Sequence, residues 1–176
     1  MPPIAFRRLA VDDLQQVFLW LLQPHVARGY APAPSSFMEV VAKYGPRTQD
    51  DNVVKAYIFS VDGRDAGYIQ AYDLAHFPDY AHRIGCGAGV ACVDLFIGED
   101  KLLGWGLGSR VLRGFLDEIV FAAGDVGVCV AGPHEGNLVS IRAFEKAGFS
   151  RWKIVKPVDG EAECVMRREL GEGGST

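Results

Sequence analysis

The part of the sequence that decides the fold reads Val90-Ala-Cys-Val-Asp94-Leu-Phe-Ile97 and, after five more residues, Leu103-Gly-Trp-Gly-Leu-Gly-Ser109. The first stretch is apolar except for Asp94, which is typical of a buried strand. The second is a glycine-rich turn that opens a helix, because apolar residues recur at helical spacing from Leu107 to about Phe121. Such a turn presents unpaired backbone N–H groups at the positive end of the helix dipole. We therefore predict an anion-binding turn at residues 103–109.

Two familiar phosphate-binding patterns do not fit this turn. A P-loop requires GxxxxGK[ST], and no lysine follows these glycines at that place. A dinucleotide-binding turn requires GxGxxG after the first strand, whereas this chain has GxGxG deep in its sequence. A purely structural role, in which the glycines permit a tight turn and close packing, stays open.

The flanking sequence alternates strand and helix patterns. Period-two and period-3.6 apolar spacing, with turn residues between, predicts the following elements. The first elements are a strand from Ile4 to Leu9, a helix from Asp12 or Asp13 to about Leu22, and a short helix after Ser35. A hairpin of Val53–Val61 and Ala66–Ala75, turned by Asp62-Gly63, and a polar loop from His76 to Arg83 lead to the strand and helix described above. The chain continues with a strand from Gly127 to Ala131, a helix begun by Asn137 and ended by Gly148, and a hairpin of Trp152–Lys156 and Ala162–Arg168 turned at Asp159-Gly160. This order predicts an α+β, or mixed α/β, sheet domain.

Composition narrows the class of protein. The 176 residues, 49% hydrophobic and 23% charged, suit one globular domain with a real core. No apolar run approaches the roughly 20 residues of a spanning helix, and Met1-Pro-Pro-Ile4 begins no legible signal peptide, so we expect a cytoplasmic protein with no membrane partner. The net charge of -4 and the lack of a run of basic residues argue against binding to nucleic acid. The negative charge indicates either a cationic partner or only the charge that an ordinary soluble protein carries.

The four cysteines do not predict a metal centre. Cys86, Cys92, Cys129 and Cys164 form no CxxC pair, and the spacing of His82, Cys86 and Cys92 fits no usual zinc template. We expect no metal, and we interpret the cysteines as small core residues.

A second motif gives the glycine turn its context. After the next predicted strand the chain reads Asn137-Leu-Val-Ser140-Ile-Arg-Ala-Phe144-Glu-Lys-Ala-Gly148-Phe149. Together the two segments resemble the GNAT superfamily of acetyl-CoA dependent N-acetyltransferases. The resemblance implies a GNAT-like single domain with a central, mostly antiparallel sheet flanked by helices over residues 1–170, and a flexible tail at 171–176. It also implies acetyl-CoA as the donor, with coenzyme A released.

More narrowly, the chain resembles the aminoglycoside 6'-N-acetyltransferases, enzymes of antibiotic resistance. The similar segments are Phe6–Leu9 with Asp12-Asp13-Leu14, Trp20-Leu21 and His25, Gly67–Tyr72, Val93-Asp94, and Asn137–Phe149. The expected partner is then a small polycationic amine. Alternatives are an acetyltransferase for another amine, such as a siderophore hydroxylamine or a peptide terminus, and a non-catalytic acetyl-CoA sensor. Monomer and homodimer both stay open.

The resemblance assigns the chemistry to the middle strand. Asp94 faces the acceptor amine as base or orienting acid, and the backbone N–H near Leu95 donates to the thioester carbonyl oxygen. The pantetheine arm lies along Leu95–Ile97. A structural role for Asp94 is the alternative.

The same resemblance implies two sets of binding residues. Coenzyme contacts come from Leu95, Phe96, Ile97, Leu103, Gly104, Trp105, Gly106, Leu107, Gly108, Ser109, Asn137, Ser140 and Phe144. Acceptor contacts come from Trp20, His25, Tyr30, Tyr72, Asp73, Asp94 and Glu135. Trp20 and Tyr30 have core packing as an equal alternative, and Asn137 has helix capping. Further candidates in loops are the carboxylates of Asp79, Glu99 and Asp100 and the ring of His134. For each of these, as for Asp73 and Glu135, an ordinary solvated surface side chain is the alternative.

Three positions depart from the family pattern. Leu103 stands where Gln or Arg is usual. The turn can tolerate this change, because it binds the coenzyme largely through main-chain N–H groups. Phe144 replaces the Tyr that donates a proton to the leaving thiolate, so water, the attacking ammonium or another hydroxyl such as that of Tyr72 must serve. Gly132 replaces an Asp before Pro133, which removes one expected carboxylate from the acceptor site.

Overall fold

The computed structural model describes residues 2–157 and 160–171, and this part of the chain holds seven strands and six α-helices. The strands are β1 (Ile4–Arg8), β2 (Lys55–Val61), β3 (Arg64–Asp73), β4 (Val90–Ile97), β5 (Val128–Ala131), β6 (Ser150–Val155) and β7 (Glu163–Glu169). The helices are α1 (Leu14–Leu21), α2 (Pro24–Gly29), α3 (Phe37–Tyr44), α4 (Pro78–Ile84), α5 (Leu107–Phe115) and α6 (Leu138–Lys146). None of the described helices is long and apolar enough to cross a membrane.

The strands form one sheet in the order β1-β2-β3-β4-β5-β7-β6. The β4–β5 pair is parallel, while β1–β2, β2–β3, β5–β7 and β6–β7 are antiparallel. The predicted mixed, mostly antiparallel sheet flanked by helices is therefore confirmed. Two compact units divide the chain: residues 2–71 with 94–105, and residues 72–93 with the described part of 106–171. The predicted single domain stays a prediction, and most of the predicted tail, 172–176, lies outside the described residues.

The first unit packs α1, α2 and α3 with β1, β2 and the outer part of β4. Leu14, Val17 and Leu21 are buried because they recur on one face of α1. The predicted turn Asp62-Gly63 is confirmed, since both residues have the positive φ that a tight hairpin needs. Asp13 is the N-cap residue of α1 as predicted, but its carboxylate makes no cap hydrogen bond to the helix and accepts the N–H of Ala10 instead, at 2.8 Å.

The second unit packs α4, α5 and α6 with β5, β6 and β7. The loop predicted at His76–Arg83 is wrong in part, because Pro78–Ile84 forms α4. Pro78 suits a first helical turn, and Gly85, with φ 64°, ends the helix in the left-handed conformation. The hairpin predicted to turn at Asp159-Gly160 exists as β6 and β7, but Asp159 itself lies outside the described residues.

Close approach of two strands positions the candidate site. Gly67 on β3 has no room for a side chain, because a Cβ there would lie 2.3 Å from the backbone oxygen of Phe96 and 2.5 Å from the ring of Phe59. The glycine therefore lets β3 run against the outer part of β4, which brings Gln70 within reach of Asp94.

Candidate active site

Asp94 is held by a side chain from β3. It lies partly buried on β4, and the Nε2 of Gln70 donates to its Oδ2 at 2.8 Å. Gln70 is itself buried, with 6% of its surface exposed. A buried amide that donates to a carboxylate fixes the plane of the carboxylate, because a lost bond would leave both groups unsatisfied.

Aromatic rings surround this pair within the first unit. Tyr68 stacks on Phe96 at 5.4 Å between ring centroids, and Tyr30 meets the edge of the same ring at 4.9 Å. Burial raises the pKa of Tyr30 and of Tyr68 well above the ordinary value, and the charge of Asp94 adds to the shift. Both phenols therefore stay protonated at neutral pH. The structure brings Tyr30 and Asp94, both predicted acceptor residues, into one polar and aromatic cluster.

The end of β4 is fastened by α1 and α2. The Nε2 of His25 donates to the carbonyl oxygen of Ile97 at 2.9 Å, which requires a proton on that nitrogen. The indole N–H of Trp20 donates to Glu99 at 2.9 Å, and a Cβ on Gly98 would lie 2.3 Å from the Trp20 ring. Trp20 therefore performs the packing role that its sequence pattern also allowed; its contact with an acceptor stays a prediction.

The glycine turn has the backbone of an open cradle. Gly104 and Gly106 have φ of 82° and 71°, and Gly106 immediately precedes α5. A Cβ on either glycine would meet no atom within 4 Å, so the space beside the turn is open. The hydroxyl of Ser109 donates to the carbonyl of Gly106 at 2.9 Å, and Trp105 is 83% exposed. The first N–H groups of α5 lack intrahelical partners and thus can bind an anion.

The second motif begins and ends as predicted. Asn137 caps α6, since its Oδ1 accepts the backbone N–H of Ser140 at 3.1 Å. Gly148, with φ 93°, follows the last turn. Phe144 is 3% exposed and packs edge-on against Phe149, with ring centroids 5.1 Å apart. The Phe144 ring is thus part of the core of the second unit.

The remaining predicted acceptor residues lie in the second unit. Tyr72 packs on Phe77 at 4.6 Å between ring centroids, and the Oδ1 of Asp73 accepts the N–H of Ala75 at 2.8 Å. Glu135 is exposed. Among the described residues no cluster of three or more His, Cys, Asp or Glu side chains could hold a metal ion.

Residues 10–156 match the acetyltransferase (GNAT) domain family. The chain belongs to the GNAT acetyltransferase family. It is 29% identical to the aminoglycoside N(6')-acetyltransferase type 1 of Klebsiella pneumoniae over 93% of this chain and 82% of that protein. It is also similar to the solved aminoglycoside acetyltransferase AAC(6')-Ib. In complex with paromomycin and acetyl-CoA that enzyme has a TM-score of 0.79 and 27% identity, covering 94% of this chain and 93% of the other. In complex with coenzyme A and kanamycin the TM-score is 0.78, again with 27% identity, and 95% of each chain is covered.

The sequence of this GNAT chain did not predict the role of Gln70, which holds Asp94, or of Arg47, which donates to Gln70. Gln70 lies in a predicted strand and in the segment Gly67–Tyr72 that carries the resemblance, but nothing in the sequence gives it a role, and Arg47 stands in a short helical turn that no motif marks. The alternation along β3 is the signal that could have found Gln70, because it places Gln70 on the same face of the strand as Tyr68.

A further residue that the sequence did not reveal, Glu163, lies beside Gly132, where the chain departs from the pattern of the aminoglycoside enzymes. A Cβ on Gly132 would lie 2.6 Å from the hydroxyl of Tyr80 and 2.9 Å from the Oε2 of Glu163. Tyr80 donates to that same carboxylate oxygen at 3.3 Å, and Arg83 lies 3.9 Å from the other. The carboxylate of Glu163, on β7, thus occupies the space beside Gly132 that the aspartate of the family pattern would otherwise take.

Proposed function

We propose that this GNAT chain is an aminoglycoside 6'-N-acetyltransferase that transfers acetyl from acetyl-CoA to a primary amine of an aminoglycoside, and so confers antibiotic resistance. Residues 1–170 act as one catalytic domain in this proposal. The observation that carries it is Asp94, a carboxylate fixed by Gln70 among protonated tyrosines, in a chain similar over nearly its whole length to enzymes named for this activity. A polycationic substrate needs such a carboxylate to bind its ammonium group.

The glycine turn suits the diphosphate of the coenzyme. Its two left-handed glycines leave the space beside the backbone open, and the start of α5 supplies N–H groups and the positive end of a helix dipole. We propose that the main chain from Leu103 to Ser109 holds the diphosphate, with Asn137, Ser140 and Phe144 supporting the coenzyme from α6. Leu95, Phe96 and Ile97 line the pantetheine arm. Acetyl-CoA supplies an acyl group activated as a thioester.

The chemistry then follows from the protonation of the amine. An aminoglycoside amine is mostly an ammonium ion at neutral pH and attacks only after losing a proton. Asp94 binds the ammonium and takes or relays that proton, and the amine nitrogen bonds to the acyl carbon as the carbon–sulfur bond breaks. The N–H of Leu95 donates to the acyl oxygen as negative charge grows there. Phe144 has no proton to give to the sulfur. Because the thiol of coenzyme A has an ordinary acidity, the sulfur can leave as a thiolate and then be protonated by water.

The acceptor site is built in this proposal from residues of several elements. Tyr30 lies beside Asp94, and His25 fixes the end of β4. The other proposed acceptor residues are Trp20, Tyr72, Asp73 and Glu135. They supply aromatic faces and negative charge, the chemistry that a polyamine sugar requires.

The proposed activity is tested by thiol release from acetyl-CoA in the presence of kanamycin or tobramycin. We expect turnover with both, and acetylation at the 6'-amine by NMR. The matched control is an aminoglycoside that carries a 6'-hydroxyl in place of the amine. It should bind to the protein, but thiol release in its presence should be much slower than with kanamycin. Coenzyme binding without turnover on any amine would identify a sensor, and faster turnover on a hydroxylamine would identify a siderophore-type enzyme.

We also predict that Glu163 binds an acceptor amine. Glu163→Gln removes the negative charge but keeps the size of the side chain, so the KM for tobramycin should rise about fivefold, as expected for one partly exposed ionic contact. The kcat and the KM for acetyl-CoA should not change. Steady-state kinetics with both substrates measure this.

The matched control is Glu161→Gln, which removes an exposed acid two positions away on the same segment. Its KM for tobramycin should stay within a factor of two. Equal effects of the two variants, or none from Glu163→Gln, would show that the Glu163 carboxylate has only a structural role beside Tyr80.

A further inference from the structure

Arg47 is a half-buried cation whose contacts, among the residues that the structure describes, are amide, hydroxyl and aromatic groups. It lies in the short helix Gly45–Thr48, and within the described part of the chain it forms no salt bridge. Its Nη1 donates to the Oε1 of Gln70 at 2.6 Å and to the hydroxyl of Tyr68 at 3.1 Å, and its guanidinium lies over the ring of Tyr44 at 4.7 Å. A guanidinium placed among aromatic rings and amides needs a counter-charge nearby.

That counter-charge is one amide away. The Oε1 of Gln70 accepts from both Arg47 and the hydroxyl of Tyr68, which donates at 2.7 Å. Two donors use both lone pairs of the amide oxygen, so a flipped amide would turn its NH₂ group against the guanidinium. The Gln70 Nε2 must then point to Asp94, where it donates at 2.8 Å. The three side chains form a chain of hydrogen bonds with a positive charge at one end and a carboxylate at the other.

We propose that Arg47 is a positioning residue for acetyl transfer: through Gln70 it orients the Asp94 carboxylate and supplies the charge that keeps it ionised while the acceptor ammonium binds. This inference rests on the proposed role of Asp94. It makes the helical turn Gly45–Thr48, remote in sequence from every motif of the family, part of the machinery that selects a cationic acceptor.

The other polar groups around this chain of bonds do not compete for the proton. Tyr30, directly after α2, Tyr44 on α3 and Tyr68 on β3 all have a raised pKa, chiefly because they are buried, and so stay neutral at neutral pH. Burial works against the charge of Arg47, but its interactions with Tyr68 and the neighbouring phenols raise the pKa of the guanidinium on balance. His25 on α2 contacts the far end of β4, at Ile97.

The test compares Arg47→Gln, which keeps a donor but removes the charge, with Arg47→Lys, which keeps the charge. Without the positive charge the carboxylate gains protons more readily, so the acidic limb of kcat/KM for tobramycin should move up by about one pH unit. At pH values well below that limb the kcat/KM should fall about tenfold, as a shift of one pH unit requires. In Arg47→Lys both the shift of the limb and the loss of kcat/KM should be much smaller than in Arg47→Gln. The dissociation constant of coenzyme A should not change in either variant.

A second readout does not depend on turnover. Carboxyl ¹³C NMR of protein labelled at aspartate, with the Asp94 signal assigned by its loss in Asp94→Asn, gives the midpoint of ionisation directly. The midpoint should rise in Arg47→Gln and stay in place in Arg47→Lys. Arg8→Gln is the matched control, because Arg8 also lies over a tyrosine ring, that of Tyr57, and donates to the backbone carbonyl of Ala56.

If Arg47→Gln does not fold, Gln70→Leu cuts the same connection from the other side and should raise the midpoint similarly. An Asp94 midpoint that is the same in wild type, Arg47→Gln and Gln70→Leu would overturn the proposal. Absence of acetyl transfer in the wild type would reject the proposed function instead, while the NMR midpoint would still decide whether Arg47 controls Asp94.

Discussion

Asp94→Asn is expected to lower kcat with tobramycin about 100-fold, the lower end of what a positioned proton acceptor contributes. Such a loss corresponds to about 2.7 kcal/mol of transition-state stabilisation. The side chain keeps its shape, and an asparagine oxygen can still accept from the Nε2 of Gln70. What disappears is the negative charge that binds the ammonium and takes its proton. Coenzyme A affinity, measured by calorimetry, should not change, because the turn at residues 103–109 is untouched.

The matched control for this variant is Asp65→Asn. Asp65 lies on β3, exposed, and pairs with Arg7 at 2.6 Å, away from Gln70. Its kcat should stay within a factor of two of the wild-type value. Normal turnover in Asp94→Asn would move the role of base to another group, and parallel losses in both variants would indicate a general effect of charge.

Several elements could be predicted because the decisive interactions are local. The turn Asp62-Gly63 fixes its hairpin by backbone conformation alone, and Asn137 and Gly148 begin and end α6 through caps within a few residues. The helix α4 was not predicted because it has only seven residues, of which only Ala81 and Ile84 are buried. Its stability comes from packing in the second unit rather than from a strong apolar period.

The candidate site was predictable only where one residue stood out from its surroundings. Asp94 is conspicuous as a lone acid in an apolar strand, so its position could be predicted from the sequence. Gln70 contacts Asp94, and Arg47 contacts Gln70, only through the pairing of β3 and the placement of a helical turn, which long-range packing determines. Glu163 was missed for the same reason, since it replaces a side chain at Gly132 that is distant along the chain.

Neighbours in space also change the meaning of two departures from the family pattern. Gly132 alone indicates a lost acceptor carboxylate, yet Glu163 brings a carboxylate to the same place. Phe144 alone indicates a lost proton donor, and its burial against Phe149 gives that position a packing function. The departure at Gly132 is thus compensated by a neighbour in space, while the departure at Phe144 leaves the thiolate to be protonated by water in the proposed mechanism, and neither argues against catalysis.

Gly106→Val is expected to weaken coenzyme A binding about 100-fold. Gly106 has φ 71°, a conformation that costs a β-branched residue on the order of 1–3 kcal/mol. The valine would escape this strain by rotating the backbone, which would turn the first N–H groups of α5 away from the diphosphate. Its methyl groups would also occupy the open space beside the turn, where no protein atom now lies within 4 Å.

Calorimetric titration with coenzyme A measures this loss, and Gly87→Val is its matched control. Gly87 also has open space around its Cβ position, but its backbone lies outside the left-handed region and it belongs to no predicted coenzyme contact. That variant should bind coenzyme A as the wild type does. Because the strain at Gly106 acts on the turn itself, the thermal unfolding temperature should fall by only a few degrees while affinity falls steeply. An affinity within twofold of wild type in Gly106→Val would mean that the diphosphate is held elsewhere, and the assignment of residues 103–109 would have to be abandoned.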